Sequence, residues 1–255
     1  MASDSLPRRA LLGGLAGLGG LSLAGCSGDA GPPSYGDVLR MGDAFTYGAF
    51  RLLMPRRGLV REYGRGDITS IAAIGTTNPG NPAEPGYDGE QGEAYGRLRR
   101  DAFRDFGLSV EGSVARPRQF SLAELRALPG RTQITKHSCE EGWSAIAEWT
   151  GVPLAAVLQA SGVRPSARYV TFYAYDAIAD GIDMLDALHP QTILAYGMNG
   201  RDLPQQHGAP LRLRVETQLG YKSLKYIRRI VVTDRFNDTG TLGPIQTGWS
   251  WWAGI

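Results

Sequence analysis

Arg131-Thr132-Gln133-Ile134-Thr135-Lys136-His137-Ser138-Cys139-Glu140-Glu141-Gly142-Trp143 reads as a strand that delivers a cysteine, two acids, a glycine and a tryptophan to its C-terminal end. Upstream, Leu108 to Val114 alternates apolar and polar residues as a half-buried strand does. Ser121-Leu122-Ala123-Glu124 is a capping box that opens a short helix ending near Leu128 and Pro129. Downstream, Gly142 to Trp149 is expected to form a turn of helix, and Pro153 to Ser161 a helix stopped by Gly162. Arg168 to Tyr175 is rich in β-branched and aromatic residues and reads as a strand. Asp183 is a plausible N-cap for a short helix through Leu188, closed by Pro190. Ile193 to Met198 is a strand leading into the tight turn Asn199-Gly200, and Leu211 to Glu216 and Ile227 to Asp234 are further strands. Strands and short helices mix without a βαβ rhythm, so the fold class is α+β with mixed or mostly antiparallel sheets.

Before this region the signals weaken. Asp37 to Tyr95 shows no sustained period, and Thr76 to Pro82 and Pro85-Gly86-Tyr87 are dense in turn residues. An extended arm lying across the main body is expected there. The division expected from these signals is 1–25 as an N-terminal leader, 26–95 as tether and extended arm, and 96–255 as the main domain.

Composition sets the outer bounds. The 255 residues suffice for one large domain or two small ones. A hydrophobic fraction of 42% with 20% charged residues is that of an ordinary globular chain. The net charge of +2 gives no reason to expect a nucleic acid partner.

Met1 to Cys26 reads as an address. Arg8-Arg9 precede an apolar, Gly-rich run from Ala10 to Leu23, too short for a comfortable membrane span. The arginine pair resembles a twin-arginine signal, without the usual Ser before it and Phe after it. Leu23-Ala24-Gly25-Cys26 looks like a lipobox, which makes Cys26 a lipidated first residue of a periplasmic or otherwise extracytoplasmic protein. Ser27 to Ser34 then reads as a flexible tether.

That leaves Cys139 as a lone thiol, since the chain has two cysteines. Three chemistries compete for it. Structural zinc wants four nitrogen or sulfur ligands, and the three histidines, His137, His189 and His207, form no spaced pair with a second Cys or His. A Cys–His nucleophile is permitted, because His137 and Cys139 share a strand face, but adjacent acids raise a thiol pKa. A soft thiolate bound to a redox metal whose other ligands come from an organic cofactor needs one cysteine only. Further on, His207-Gly208-Ala209-Pro210-Leu211-Arg212 and Gly220-Tyr221-Lys222-Ser223-Leu224-Lys225-Tyr226-Ile227 offer a histidine, an arginine and two lysines. These are partners for a phosphate, or else a solvated basic edge.

These three separated motifs, with Trp149 and Gly151-Val152-Pro153-Leu154 after the cysteine, resemble the molybdopterin-binding domain of the sulfite-oxidase family, in order from about Phe106 to Asp234. The exported, single-cysteine layout is most similar to the periplasmic methionine-sulfoxide reductases of that family. The resemblance implies a molybdenum–molybdopterin cofactor, with Cys139 as the metal's thiolate and Asp176, His207, Arg212, Ser223, Leu224 and Lys225 as cofactor contacts. It implies oxygen-atom transfer, with reduction of a small-molecule or methionine-sulfoxide-type substrate. A membrane b-type or soluble c-type cytochrome is the implied redox partner. Oxidation of a small anion and a non-catalytic scaffold of the same fold are the alternatives. Ile74-Gly75-Thr76-Thr77-Asn78-Pro79 lacks the sulfite-binding arginine of the sulfite oxidases, and no dimerisation or haem domain is expected within these residues. Tyr175 is a candidate catalytic residue, and Tyr173 and Trp143 are candidates for the pocket lining. The aromatic tail Gly248 to Ile255 is expected to fold back onto the domain, with contact to a redox partner or to the membrane interface as the alternative.

Overall fold

The computed structural model describes residues 35–54, 58–236 and 250–255; the expected export signal, Cys26 and the tether lie outside them. In chain order the elements are α1 (Tyr35–Leu53), α2 (Gly89–Arg100), β1 (Gly107–Gly112), β2 (Arg118–Ser121), α3 (Leu122–Ala127), β3 (Arg131–Ser138), β4 (Ser144–Pro153) and α4 (Leu154–Ala160). They continue with β5 (Tyr169–Ala174), β6 (Ala179–Asp183), α5 (Met184–Ala187), β7 (Ile193–Met198), β8 (Arg201–Asp202), β9 (Arg212–Arg214) and β10 (Ile227–Thr233). Single 3-10 turns occupy Arg65–Asp67, Gln205–His207 and Gly220–Lys222.

The strands make two five-stranded sheets. One runs β2-β1-β10-β5-β6; the other runs β3-β4-β7-β8, with β9 pairing the same edge of β7 further along. The β1–β10 pair is parallel and the remaining described pairs are antiparallel, so the first sheet is mixed and the second antiparallel, within the mixed or mostly antiparallel class the sequence indicates. One hydrophobic core joins the sheets through Leu108, Phe172 and Ile230 of the first and Val152, Leu194 and Leu213 of the second. Ala147, Trp149, Ile193 and Ala195 belong to a second cluster, with Met198 and Leu203.

That double burial explains one departure from expectation. Residues 144–149 form the first part of β4, not a turn of helix. Both faces of β4 are covered, so its apolar residues do not alternate cleanly, and such runs cannot be told from buried helix by period. Gly142, at φ +92°, turns the chain between β3 and β4, and the Cys139 amide donates to the Trp143 carbonyl at 2.9 Å.

The arm is only partly extended. Residues 58–88 do lie across the body: Glu62 bridges Thr135, the Tyr63 amide donates to Ile134 O, and the Thr69 amide donates to Ile146 O. On either side of that segment, however, the chain is helical, in α1 and α2. Glycines at 36, 42 and 48 and at 89, 92 and 96 obscure both helices in the sequence. Gly92 is required by packing, since a Cβ there would sit 2.4 Å from the Tyr87 ring and 2.7 Å from Pro79 O.

The described part of the tail does fold back. Trp252 is buried, edge-on to Phe50 at 5.0 Å and to Tyr47 at 5.6 Å, and Gly254 bridges Gln218. The tail thereby holds α1, whose Tyr47 hydroxyl donates to Asp183 at 2.7 Å while Arg51 reaches Asp183 at 2.9 Å and Asp186 at 2.6 Å.

Candidate functional site

Three motifs far apart in sequence converge on one cavity of about 210 Å³. One water needs roughly 10–15 Å³ by the same measure, so the space is ligand-sized. Cys139, Asp176, His207, Arg212, Ser223, Leu224 and Lys225 all line it, as do His137 and Trp143. Two of the aromatic candidates stand elsewhere. Tyr175 packs its ring 5.6 Å from Tyr95 in the core, and Tyr173 lies under the Arg229 guanidinium at 5.0 Å. Tyr175 therefore reads as a core residue, held where the Tyr175 amide donates to Tyr226 O at 3.1 Å.

Cys139 is delivered by the β3–β4 hairpin. The residue is 6% exposed, and its thiol donates to Glu140 Oε2 at 3.5 Å. Burial, aided by the Glu140 and Glu141 carboxylates, pushes that thiol above its ordinary range. Isolated, it is a poor nucleophile, which weighs against the cysteine-hydrolase chemistry. Among the described residues no group of three or more His, Cys, Asp or Glu is placed to hold a metal ion.

His137 forms the next part of the wall. Arg214 Nη1 lies 2.7 Å from His137 Nδ1. A guanidinium only donates, so Nδ1 accepts and the ring proton sits on Nε2. Burial, with Arg214, Arg212 and His207 nearby, pushes His137 down to about 2, so the ring is neutral. Arg214 is gripped by Glu216 through two bonds of 3.1 and 2.7 Å, and Gln133 donates to Glu216 at 3.0 Å. The guanidinium groups of Arg212 and Arg214 both stand over the Trp149 ring, at 4.9 and 4.6 Å from its centroid. Gly220 must be glycine here, because a Cβ would meet the His137 ring at 2.5 Å.

Arg212 ties the other two motifs together, donating to His207 O at 3.0 Å and to Ser223 O at 2.9 Å. Burial and Arg214 lower its guanidinium to about 9, still cationic at neutral pH. His207 is lowered to about 4 by burial and then by Arg212 and Lys225, and is neutral. Lys225 does not stand free: its ammonium donates to Ile74 O at 2.8 Å, to Thr76 O, and to Gln206 O at 3.2 Å. Burial lowers it to about 8. Asp176 is 2% exposed, and burial raises it to about 6.

Two polar atoms of this wall, Arg212 Nε and Asp176 Oδ1, are buried and without a partner among the described residues. Such atoms in a native fold call for an explanation, and both lie on residues that face the cavity. The arm supplies a further wall, Ile71 to Thr76, of which sequence reasoning singled out only Ile74 to Thr76 and only for the arginine they lack. Its contribution to the hydrogen bonding is backbone carbonyls, which carry no residue signature.

Residues 95–240 match the oxidoreductase molybdopterin binding domain. Over 149 residues the chain is 43% identical to the putative protein-methionine-sulfoxide reductase subunit YedZ1 of Azospira oryzae, covering 58% of this chain and 56% of that protein. Over 161 residues it is 36% identical to the protein-methionine-sulfoxide reductase catalytic subunit MsrP of Xanthomonas campestris, covering 56% and 50% respectively. The chain thus spans about half the length of these relatives. Among solved structures, the sulfane dehydrogenase SoxCD from Paracoccus pantotrophus is similar with a TM-score of 0.51 and 25% identity, over 53% of this chain and 40% of that one.

Proposed function

The chain belongs to the oxidoreductase molybdopterin-binding family, and from that premise we propose that it reduces a sulfoxide of the methionine-sulfoxide class by oxygen-atom transfer. The observation that carries the reading is the convergence of one buried thiol, the buried Arg212 with half-buried Lys225, two buried neutral histidines and two orphaned polar atoms on a single cavity.

The residues present fit the cofactor. Cys139 Sγ would bind the metal. Arg212 Nε is a donor awaiting an anionic oxygen, and Asp176 Oδ1 is an acceptor awaiting an N–H. His207 and the Ser223–Leu224–Lys225 segment would complete the enclosure. When bound, a molybdenum–molybdopterin cofactor supplies a centre that cycles between Mo(VI) and Mo(IV) as an oxygen atom moves to or from substrate.

The chain's own part is binding and electrostatics. The raised pKa of Cys139 means the thiol must lose its proton as metal binds, so loading is favoured by rising pH. Neutral His137 and His207 provide polar contacts without adding charge to a wall that already carries Arg212 and Lys225. Ile71, Trp143 and Leu224 give the cavity apolar surface that limits water.

We further propose an extracytoplasmic location, supported by the Arg8-Arg9 head, the apolar run and the Cys26 lipobox. Electrons then arrive from a separate membrane b-type or soluble c-type cytochrome. The two cysteines of this sequence are too few for an all-cysteine iron–sulfur cluster.

The test is molybdenum and pterin content of the protein purified from a host that makes the cofactor, beside Cys139→Ser. Near-stoichiometric metal, with loss of the thiolate-to-metal absorption band in the variant, is expected. Absence of molybdenum in the wild type would overturn the assignment.

A further inference from the structure

Helix α1 carries apolar residues on two opposite sides. One side is accounted for: Tyr47 and Phe50 pack on Trp251 and Trp252, and Arg51 is bonded to Asp183 and Asp186. The other is not. At 100° per residue, Met41, Ala44, Phe45, Gly48, Ala49 and Leu52 fall on one stripe, and that stripe contains no charged residue. Met41 is 68% exposed, Phe45 78% and Leu52 84%, with Leu53 beside them at 78%. Large apolar side chains gathered on one exposed face mark an interaction site rather than ordinary surface scatter.

The helix is fixed in orientation by the Asp183, Asp186 and Trp252 contacts, so the stripe is presented outward by design of the packing. From Met41 to Leu52 it is about 17 Å long and one helix wide. That footprint is a fraction of the roughly 800 Å² per partner that a stable protein interface buries, which argues against a second copy as its occupant.

Chain length argues for a different occupant. Only Ser27 to Ser34 separate the lipobox cysteine from Tyr35, where α1 begins. Nine peptide steps span at most about 30 Å, so a lipid on Cys26 confines α1 to the immediate neighbourhood of the bilayer surface. A rigid helix with an uncharged apolar stripe on its outer side can lie in the interface with that stripe among the acyl chains.

We propose that the outer stripe of α1 is a membrane-seating face, which orients the protein on the bilayer surface beside its lipid anchor. The proposal rests on the extracytoplasmic, lipidated reading of Cys26. It does not rest on the cofactor, so the two can fail separately.

The test uses the mature chain from Ser27 onward, exported by a cleavable non-lipoprotein signal and loaded with cofactor. It keeps every described residue but lacks the acyl chains. It is mixed with vesicles of phosphatidylethanolamine and phosphatidylglycerol and floated on a density gradient. The wild type is expected to partition onto the vesicles, with slowed hydrogen exchange in α1. Met41→Ser/Phe45→Ser/Leu52→Ser is expected to lose at least about tenfold in partition. Its molybdenum content and unfolding temperature should be unchanged, because the three replaced side chains are largely exposed. Phe45→Asp alone should lower partition in the same direction. Failure of the wild type to float, or equal flotation of wild type and triple variant, overturns the proposal. So does a wild-type dimer that the triple variant converts to monomer without any vesicle binding, which would assign the face to self-association.

Discussion

Arg214 is 1% exposed and serves two neighbours at once: it satisfies the Glu216 carboxylate and fixes the tautomer of His137. Removing the cation alone leaves a buried carboxylate unpaired. Arg214→Met is therefore expected to destabilise the protein by about 3–5 kcal/mol, while Arg214→Met/Glu216→Met regains most of that loss. Urea denaturation of both variants decides it, and equal destabilisation by the two would refute the ion-pair account. Asp176 gives a pH-dependent prediction. Its folded value of about 6 lies above the ordinary carboxylate value of about 3.9. The folded state binds this proton more tightly, so the stabilisation is complete below the unfolded value and is lost as pH rises through about 6. Measured on apo protein between about pH 4 and pH 7, wild type should lose of order 2 kcal/mol relative to Asp176→Asn. Parallel stability curves for the two proteins would dismiss a buried, raised Asp176. At this scale much of the cavity wall could be read from sequence, because Cys139, His207 and Arg212 are residue types that advertise metal or phosphate chemistry. The roles of Arg214 and Glu216 could not, since the strand that carries them reads as an ordinary alternating pattern.

At the level of elements, local chemistry decides which segments are legible. The Ser121–Glu124 capping box forms as expected, with the Glu124 amide donating to Ser121 Oγ at 3.2 Å and the Ser121 amide to Glu124 Oε2 at 2.8 Å. Strand β3 and strand β7 have the bounds their sequences indicate. Asp183 caps α5, accepting from the Asp186 amide at 2.8 Å. By contrast β4 is hidden by burial of both faces, and α1 by glycines and by a packing partner some 200 positions away in the chain. Helix α1 depends on that partner. Trp252→Ala is expected to destabilise by about 3–5 kcal/mol and to accelerate hydrogen exchange through α1 far more than through β3 or β7. Uniform acceleration across all three would show that the tail supports the whole body and not α1 in particular.

Across the whole described molecule, the cavity exists because the β3–β4 hairpin, the segments flanking β9 and the crossing arm meet at one place. The β3–β4 hairpin and the segments flanking β9 lie inside the family-matched residues 95–240; the arm does not. The mixed sheets were legible because turn and strand signals recur densely after Tyr95. The course of the arm was not, because its path is set by the hydrogen bonds it makes once the sheets exist. Chief among these is the grip of Lys225 on the carbonyls of Ile74, Thr76 and Gln206, reinforced by the Tyr226 hydroxyl on Thr76 O at 3.0 Å. That grip has a temporal consequence. A guest present while the chain folds meets the arm before this grip has formed, whereas a late arrival meets it already in place. Uptake by pre-folded protein is accordingly expected to be slow and to quicken in Lys225→Met, in a race between closure and arrival that a stopped-time loading assay can follow; identical uptake rates would mean the clasp never stands in the way.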